Sequence, residues 1–277
     1  SLECELRKRT ILFDCDGTLV DSEIIAMGVA IDILADAVQA QKSDVMIDRP
    51  ALVQEFAGWH FHKMIPEMER RHGVSLDHMA LDDLKRPATL DALLRVQVCP
   101  GIVSRLEALA ESGRQCGLVT SSEFERVNLC LNTTDIARFF PEERKFSAND
   151  TLPSPLHKPD PTIYNFALKA LGLTADEAIA VEDSKSGVAA GVAAGIPVIG
   201  YTGASHIPEV GKVDAARVLL AQGAAVVIGH LDDLEAAVQL IENPDAEANF
   251  THPVFFQDKK ASVVVEKQSY PLKAQPA

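Results

Sequence analysis

The sequence has no apolar run approaching the length that crosses a bilayer, which excludes a transmembrane protein. It is short of basic residues: 26 Lys and Arg stand against 40 Asp and Glu, a net charge of −14. That shortage argues against nonspecific nucleic-acid binding, which needs a basic face to neutralise phosphates, and against adsorption to anionic membranes. There is no Cys-x-x-Cys pair. The five cysteines (Cys4, Cys15, Cys99, Cys116 and Cys130) are an odd number, and four sit in or beside apolar runs. Reduced, partly buried thiols in a reducing compartment are therefore expected, not a disulfide framework. The opening Ser-Leu-Glu-Cys-Glu-Leu lacks a basic region followed by an apolar stretch, so it is no secretory signal. A cytoplasmic monomer is expected; the missing initiator Met leaves room for a removed organellar presequence. With 47% hydrophobic and 24% charged residues, disorder of the whole chain is excluded. A length of 277 residues allows one large domain or two smaller ones.

Thr10-Ile-Leu-Phe ends in Asp14 and reads as a buried strand. Asp21 and Ser22 are candidate caps for a helix through Ile24, Ile25, Val29, Ile33 and Leu34. From Ser22 to Val98 strand signals almost vanish and apolar residues recur at helical spacing, which predicts an all-helical insert of about four helices. After Pro100-Gly101 strands and helices alternate. Gly117–Thr120, Lys145–Ser147, Ala178–Glu182, Ile196–Gly200 and Ala225–Ile228 read as strands. Ser122-Glu-Phe-Glu125 and Thr174-Ala-Asp-Glu177 have capping-box spacing. Pro161 stands at a first helical position and Gly172 closes that helix. The Ala/Gly stretch 189–195 reads as close helix–sheet packing, because it lacks the Gly-Lys-Ser/Thr ending of a nucleotide loop. Alternation of this kind predicts an α/β fold with a parallel, Rossmann-like sheet. Residues 1–22 and 98–250 would form a discontinuous core, 23–97 a helical cap, and 251–277 an extension in which Val263–Val265 could add an edge strand.

Four polar clusters follow apolar strands or their loops: Asp14-Cys-Asp16-Gly17-Thr18, Thr120-Ser121-Ser122, Lys158-Pro159 and Glu182-Asp183-Ser184. Ligands of open α/β sheets bind outside the carboxyl ends of the strands, where these clusters would meet. Crowded carboxylates repel unless a cation shares them, and an all-oxygen set without His or thiolate favours Mg²⁺. Lys158, the Thr120 hydroxyl and helix N-terminal amides would hold an anion. Mg²⁺ and an anion together suggest phosphate, with Asp14 as a nucleophile and Asp16 as general acid and then base.

These residues resemble the haloacid dehalogenase superfamily, whose four motifs match in order and spacing across residues 10–200: Asp14-Cys-Asp16-Gly17-Thr18-Leu-Val-Asp21-Ser22, then Thr120, Lys158 and Glu182-Asp183. The helical insert resembles the cap of the beta-phosphoglucomutase-like branch. Gly200-Tyr-Thr-Gly-Ala-Ser-His206 and Gly223-Ala224 resemble sugar-phosphate phosphatases such as 6-phosphogluconate phosphatases. The resemblance implies that the first strand is flanked by those carrying the second and fourth motifs. It implies Mg²⁺ held by Asp14, the Asp16 carbonyl and Asp183 with Glu182 nearby, and a phosphoryl group held by Thr120, Ser121 and Lys158. The expected function is Mg²⁺-dependent hydrolysis of a small phosphorylated substrate through an aspartyl phosphate.

Gly58-Trp59-His60-Phe61-His62 lies where related caps place a specificity loop, although Trp59 could equally be a cap core residue. Four of the eight histidines (His60, His62, His72, His78) fall in the insert, where surface chemistry is a commoner role than a metal site. A phosphomutase is the rival enzyme; the cap His and Arg that mutases use correspond to Ala26 and Phe61, unless Arg70 or Arg95 moves in. An inactive interaction module on the same fold is the non-enzymatic alternative.

Overall fold

A computed structural model describes residues 8–245 and 248–256. The first strand, β1 (Thr10–Phe13), is buried along its whole length. Alternate residues of a strand point to opposite faces, and β1 obeys this. Ile11 and Phe13 enter one apolar cluster while Leu12 enters another. Both faces of the strand need cover, which explains why the run is continuously apolar rather than alternating.

The sheet is completed by β2 (Cys116–Thr120), β3 (Lys145–Ser147), β4 (Ala178–Glu182), β5 (Val198–Tyr201), β6 (Val226–Ile228) and β7 (Val254–Phe255). Its order is β3-β2-β1-β4-β5-β6-β7. All pairings are parallel except β6 with β7. The first strand thus lies between the strands carrying the second and fourth motifs, as the resemblance implies. The antiparallel edge strand is Val254–Phe255; the Val263–Val265 expectation lies outside the described residues.

The insert contains α1 (Ser22–Gln41), α2 (Arg49–Glu55), α3 (Phe61–His72) and α4 (His78–Leu93). Leu34, Phe56, Met64, Ile65 and Met68 belong to an apolar cluster of its own, separate from the two that sandwich the sheet. The insert leaves and re-enters the core where Val20 and Val98 form an antiparallel bridge. The core helices are α5 (Ile102–Glu111), α6 (Phe124–Thr133), α7 (Thr162–Leu171), α8 (Lys185–Ala193), α9 (Lys212–Ala221) and α10 (Leu234–Glu242). In α8, a Cβ added at Gly191 would stand 2.7 Å from Val198. The small residues there let helix and sheet approach closely, as expected for the Ala/Gly stretch. None of the described helices is long and apolar enough to cross a membrane.

Local details depart from the sequence reading. The capping box at Thr174 forms, on a short 3₁₀ turn. The one expected at Ser122 does not: α6 starts at Phe124, whose N–H donates to Asp150 Oδ2 at 2.5 Å. Ser122 instead gives its hydroxyl to Asp16. Asp21 occupies the N-cap of α1 without capping it, because its carboxylate accepts from the Ser205 amide and hydroxyl. Pro161 sits at the N-cap of α7, one residue earlier than expected, and Gly172 closes that helix in the left-handed conformation. Cys15, Cys99 and Cys130 are buried free thiols and Cys116 is half-buried and free; Cys4 lies outside the described residues. Burial pushes the Cys116 and Cys130 thiols up to about 12, away from the reactive thiolate form.

Leu34 is fully buried within the cap cluster. Leu34→Ala should lower stability by about 2–5 kcal/mol in equilibrium urea denaturation; a loss much smaller than this would show that the cap cluster repacks without it.

Candidate active site

The carboxyl ends of β1, β2 and β4 deliver Asp14, Thr120 and Glu182-Asp183 to one rim of the sheet. The Asp14 amide donates to the Val181 carbonyl at 3.0 Å, so the turn after β1 is tied to the end of β4. That turn closes when the amides of Thr18, Leu19 and Val20 donate to the Cys15 carbonyl. Gly17 takes φ +75°, and a Cβ there would fall 2.0 Å from Asp183 Oδ2. Glycine is required at this position both by backbone conformation and by the close approach of the carboxylate.

Lys158 reaches the rim from the loop before α7. Its Nζ donates to Asp14 Oδ1 at 2.8 Å, Glu182 Oε1 at 2.6 Å and the Val119 carbonyl at 2.7 Å. Its own amide donates to Ser121 Oγ at 3.3 Å, which ties the loop to the end of β2. Burial opposes the charge on Lys158, but Asp14 and Glu182 outweigh it and raise its pKa. Glu182 is fully buried and also accepts from the Tyr164 hydroxyl at 2.5 Å. Burial and the charge of Asp14 push Glu182 up to about 7 against the pull of Lys158 and Tyr164. Burial, Asp14 and Glu182 raise Asp183 well above the carboxylate range.

Oxygens of Asp14, Glu182 and Asp183 lie within 4.8 Å of one another. Such crowding is unfavourable without a cation, so the donor set fits Mg²⁺ on charge and on ligand type. Glu182 is the least available member. Its Oε1 is occupied by Lys158 and Tyr164, and it does not line the cavity that Asp14, Asp16 and Asp183 line.

That cavity, about 750 Å³, is also lined by Thr120, Ser121, Ser122, Lys158 and His206 from the core. Ile24, Met27, Val53, Ala57, Gly58, Trp59 and His60 line it from the cap. The structure thus brings every expected site residue except Glu182 to one chamber, with Glu182 directly behind Lys158. Trp59 lines the cavity and packs edge-on against Phe56 at 5.1 Å, so it serves the cap core and the chamber together. His60 is the N-cap of α3 and stacks on His62 at 5.6 Å. The cap histidines do not converge on a metal site among the described residues. A surface group of His230, Asp232 and His252 is close-set, but the His230 and His252 Nδ1 atoms are engaged by the Asp232 amide and the Asp233 carboxylate.

Sequence reasoning missed several supporting groups. Arg126 Nη2 lies 2.7 Å from Asp16 Oδ1 and 3.2 Å from Glu23 Oε1. Tyr164 supports Glu182. His206 Nε2 stands 3.6 Å from Asp183 Oδ2, and its Nδ1 is buried without a partner. The one local signal for Arg126 is a cation on a helix that starts just after the Thr120 cluster, beside the apolar Val127.

The sequence pattern of haloacid dehalogenase-like hydrolases matches residues 8–195. The chain belongs to that family. It is 29% identical to a phosphoglycolate phosphatase of Pseudomonas syringae pv. tomato over 222 residues, 76% of each chain. It is 25% identical to the 6-phosphogluconate phosphatase of Escherichia coli over 207 residues, 72% of this chain and 85% of that one. A family hydrolase from Deinococcus radiodurans, crystallised with phosphate and sodium, superposes with a TM-score of 0.69 at 26% identity, covering 86% of this chain and 97% of that one. The superfamily resemblance read from the four motifs is thereby borne out, and the curated relatives are phosphatases of the class it implied.

A Cβ at Gly187 would lie 1.8 Å from Glu182 Oε2, whereas one at Gly28 meets nothing within 4 Å. Gly187→Ala should therefore displace Glu182 from Lys158 and lower the melting temperature. Gly28→Ala, inside α1, should be stabilising by roughly 0.5–1 kcal/mol. Thermal melts of both variants check the contrast, and an unchanged melt for Gly187→Ala would refute the tight packing of Glu182.

Proposed function

We propose that this protein is a Mg²⁺-dependent phosphatase that hydrolyses a small phosphorylated metabolite of the sugar-phosphate class through an aspartyl phosphate on Asp14. The observation that carries this reading is Lys158 Nζ held between Asp14 and Glu182, with Asp183 in the same chamber. Lys158 keeps the Asp14 carboxylate in place and offers positive charge to a phosphoryl group beside it. The Thr120 hydroxyl already accepts from the Ser122 amide at 3.0 Å, which leaves its proton free to donate to a phosphoryl oxygen. Asp14, Asp183 and the Asp16 carbonyl would hold Mg²⁺, which supplies charge neutralisation to the transferring group. Catalysis is then largely positioning and electrostatic stabilisation.

Hydrolysis is favoured over phosphomutase chemistry by the cap. Phe61, at the position of the mutase Arg, is buried in the cap core. Arg70 forks onto Glu67, and neither it nor Arg95 lines the cavity. The chamber therefore offers no cap arginine for a second phosphate. The relatives named above are phosphatases of phosphoglycolate and of 6-phosphogluconate, and such small phosphate esters are the substrates to try first. An inactive module is disfavoured because each motif position carries a competent side chain, all but Glu182 lining the same chamber.

Asp14→Asn should abolish phosphate release from a panel of sugar phosphates while leaving the fold intact, because an amide cannot form the acyl phosphate. Excess chelator should remove activity, Mg²⁺ should restore it, and Ca²⁺, which accepts longer and more numerous oxygen contacts, should inhibit. Full activity in chelator would refute the metal role of Asp183. The cap residues are tested by replacing Trp59 and His60 with Ala: the ranking of sugar phosphates should change more than hydrolysis of a small generic ester. An equal fall on all substrates would leave these residues with a purely structural role.

A further inference from the structure

The two oxygens of the Asp16 carboxylate are held unequally. Oδ1 accepts from Arg126 Nε at 3.0 Å, Arg126 Nη2 at 2.7 Å and Ser22 Oγ at 2.5 Å. Oδ2 accepts only from Ser122 Oγ, at 2.6 Å. The guanidinium is fixed in turn. It sits in the first turn of α6 beside the buried Val127, and its Nη2 also reaches Glu23 Oε1 at 3.2 Å on the first turn of the cap helix α1. The residues around Asp16 belong to two cavities. Asp16 lines the chamber that holds Asp14, whereas Arg126 does not; it lines a second cavity, about 460 Å³, and Ser122 lines both. Oδ1 is therefore gripped by a charged fork and a hydroxyl, and Oδ2 is left with one hydroxyl partner. A serine hydroxyl can rotate to another acceptor, but a planar guanidinium bonded at two nitrogens to one oxygen cannot follow a turning carboxylate.

We propose that Arg126 is a positioning residue for proton transfer: it anchors Asp16 Oδ1 so that Oδ2 is the oxygen that exchanges a proton with the leaving group and then with water. The inference rests on the phosphatase reading above. In the first half-reaction an Asp14 oxygen bonds to phosphorus and the ester P–O bond breaks. The departing oxygen keeps the bonding electron pair and takes the proton carried by Asp16 Oδ2, leaving as the alcohol. In the second half-reaction water attacks phosphorus, its proton passes to Asp16 Oδ2, and the bond between phosphorus and Asp14 breaks with its electrons returning to the Asp14 carboxylate. The net change is ester plus water to alcohol plus phosphate, and the proton on Asp16 is restored for the next turnover. Positioning matters here because proton transfer requires the two heavy atoms at hydrogen-bonding distance as the bond breaks.

The test separates proton delivery from general damage by varying only the leaving group. The values of kcat/KM, which report steps up to and including formation of the aspartyl phosphate, are compared for p-nitrophenyl phosphate and benzyl phosphate with Mg²⁺ present. The first expels a stable anion that needs no proton; the second, of similar size, expels an alkoxide that does. Arg126→Gln should lower kcat/KM for benzyl phosphate about 10–100-fold more than for p-nitrophenyl phosphate, a part of the range that general acid catalysis contributes. Arg126→Lys, which keeps the charge and one donor, should recover part of the lost benzyl phosphate activity and guards against a glutamine variant that fails to fold. An equal fall on both esters in the folded variants would overturn the proposal, since Arg126 would then only support the fold. Wild-type protein that releases phosphate from no ester would instead overturn the phosphatase reading, an outcome distinguishable before any variant is made.

Discussion

Lys158 carries its charge where an ammonium ion could not remain alone. Its side chain is almost wholly buried, and removing such a charge from water costs several kcal/mol even after relaxation. Asp14 and Glu182 offset that cost through direct contacts, and the Val119 carbonyl takes the third proton of the ammonium. Each partner is itself buried and depends on Lys158 in return. Tyr164 joins Lys158 on Oε1 of Glu182, and the absence of a side chain at Gly187 leaves room for Oε2, which is buried without a hydrogen-bond partner. Loss of any member leaves a buried group unpaired, so the strands that carry these residues must keep their order and register for the site to exist. The parallel pairing of β1 with both β2 and β4 is what brings the carbonyl of Val119, Asp14 and Glu182 within reach of one amine.

Charge remains unbalanced around this centre. Asp14, Asp16, Glu23 and Asp183 line the chamber and Glu182 stands behind it, whereas Lys158 and Arg126 are the cations directly bonded to members of this group. The raised pKa values of Asp183, Asp14 and Glu23, each led by burial and deepened by neighbouring carboxylates, are the signature of that imbalance. The divalent cation proposed above would offset that imbalance and let an acidic protein receive an anionic phosphate. Arg126 solves a different problem. It fixes the Asp16 carboxyl group at Oδ1 and connects the core to the cap through Glu23.

The division between core and cap follows from packing. The core presents groups suited to a phosphoryl group, which all phosphate esters share. The cap has its own apolar cluster, so its inner face can vary without disturbing the sheet. Trp59, His60, Ile24 and Met27 line from the cap the same chamber that the carboxylates line from the core. Arg86 on α4 pairs with Glu123 at 2.7 Å and Glu125 at 2.5 Å at the start of α6. These contacts are solvent-exposed and individually weak, which suits two bodies that must admit and release a ligand between them.

Much of this was legible in the chain itself. The apolar run Thr10–Phe13 needs cover on both faces, and from Ser22 to Val98 the helical spacing leaves almost no strand signal. The four motifs place carboxylates, hydroxyls and an amine after strand ends, and parallel connectivity brings strand ends together. Where local rules failed, a distant partner had prevailed over a near one. Ser122 had the spacing of a helix cap, but its hydroxyl is taken by Asp16, 106 residues earlier in sequence. Asp21 looked like a cap and instead binds Ser205, 184 residues away. Sequence alone determined the strand and helix periodicities, the presence of the cap and the identities of the groups at the strand ends, because these depend on spacings of a few residues. Tertiary structure alone decided that Glu182 serves Lys158, that Trp59 faces the chamber and that Arg126 grips one oxygen of Asp16 across 110 residues. Those pairings come from the close packing of separate elements around buried charge, and no local pattern encodes which distant side chain will satisfy it.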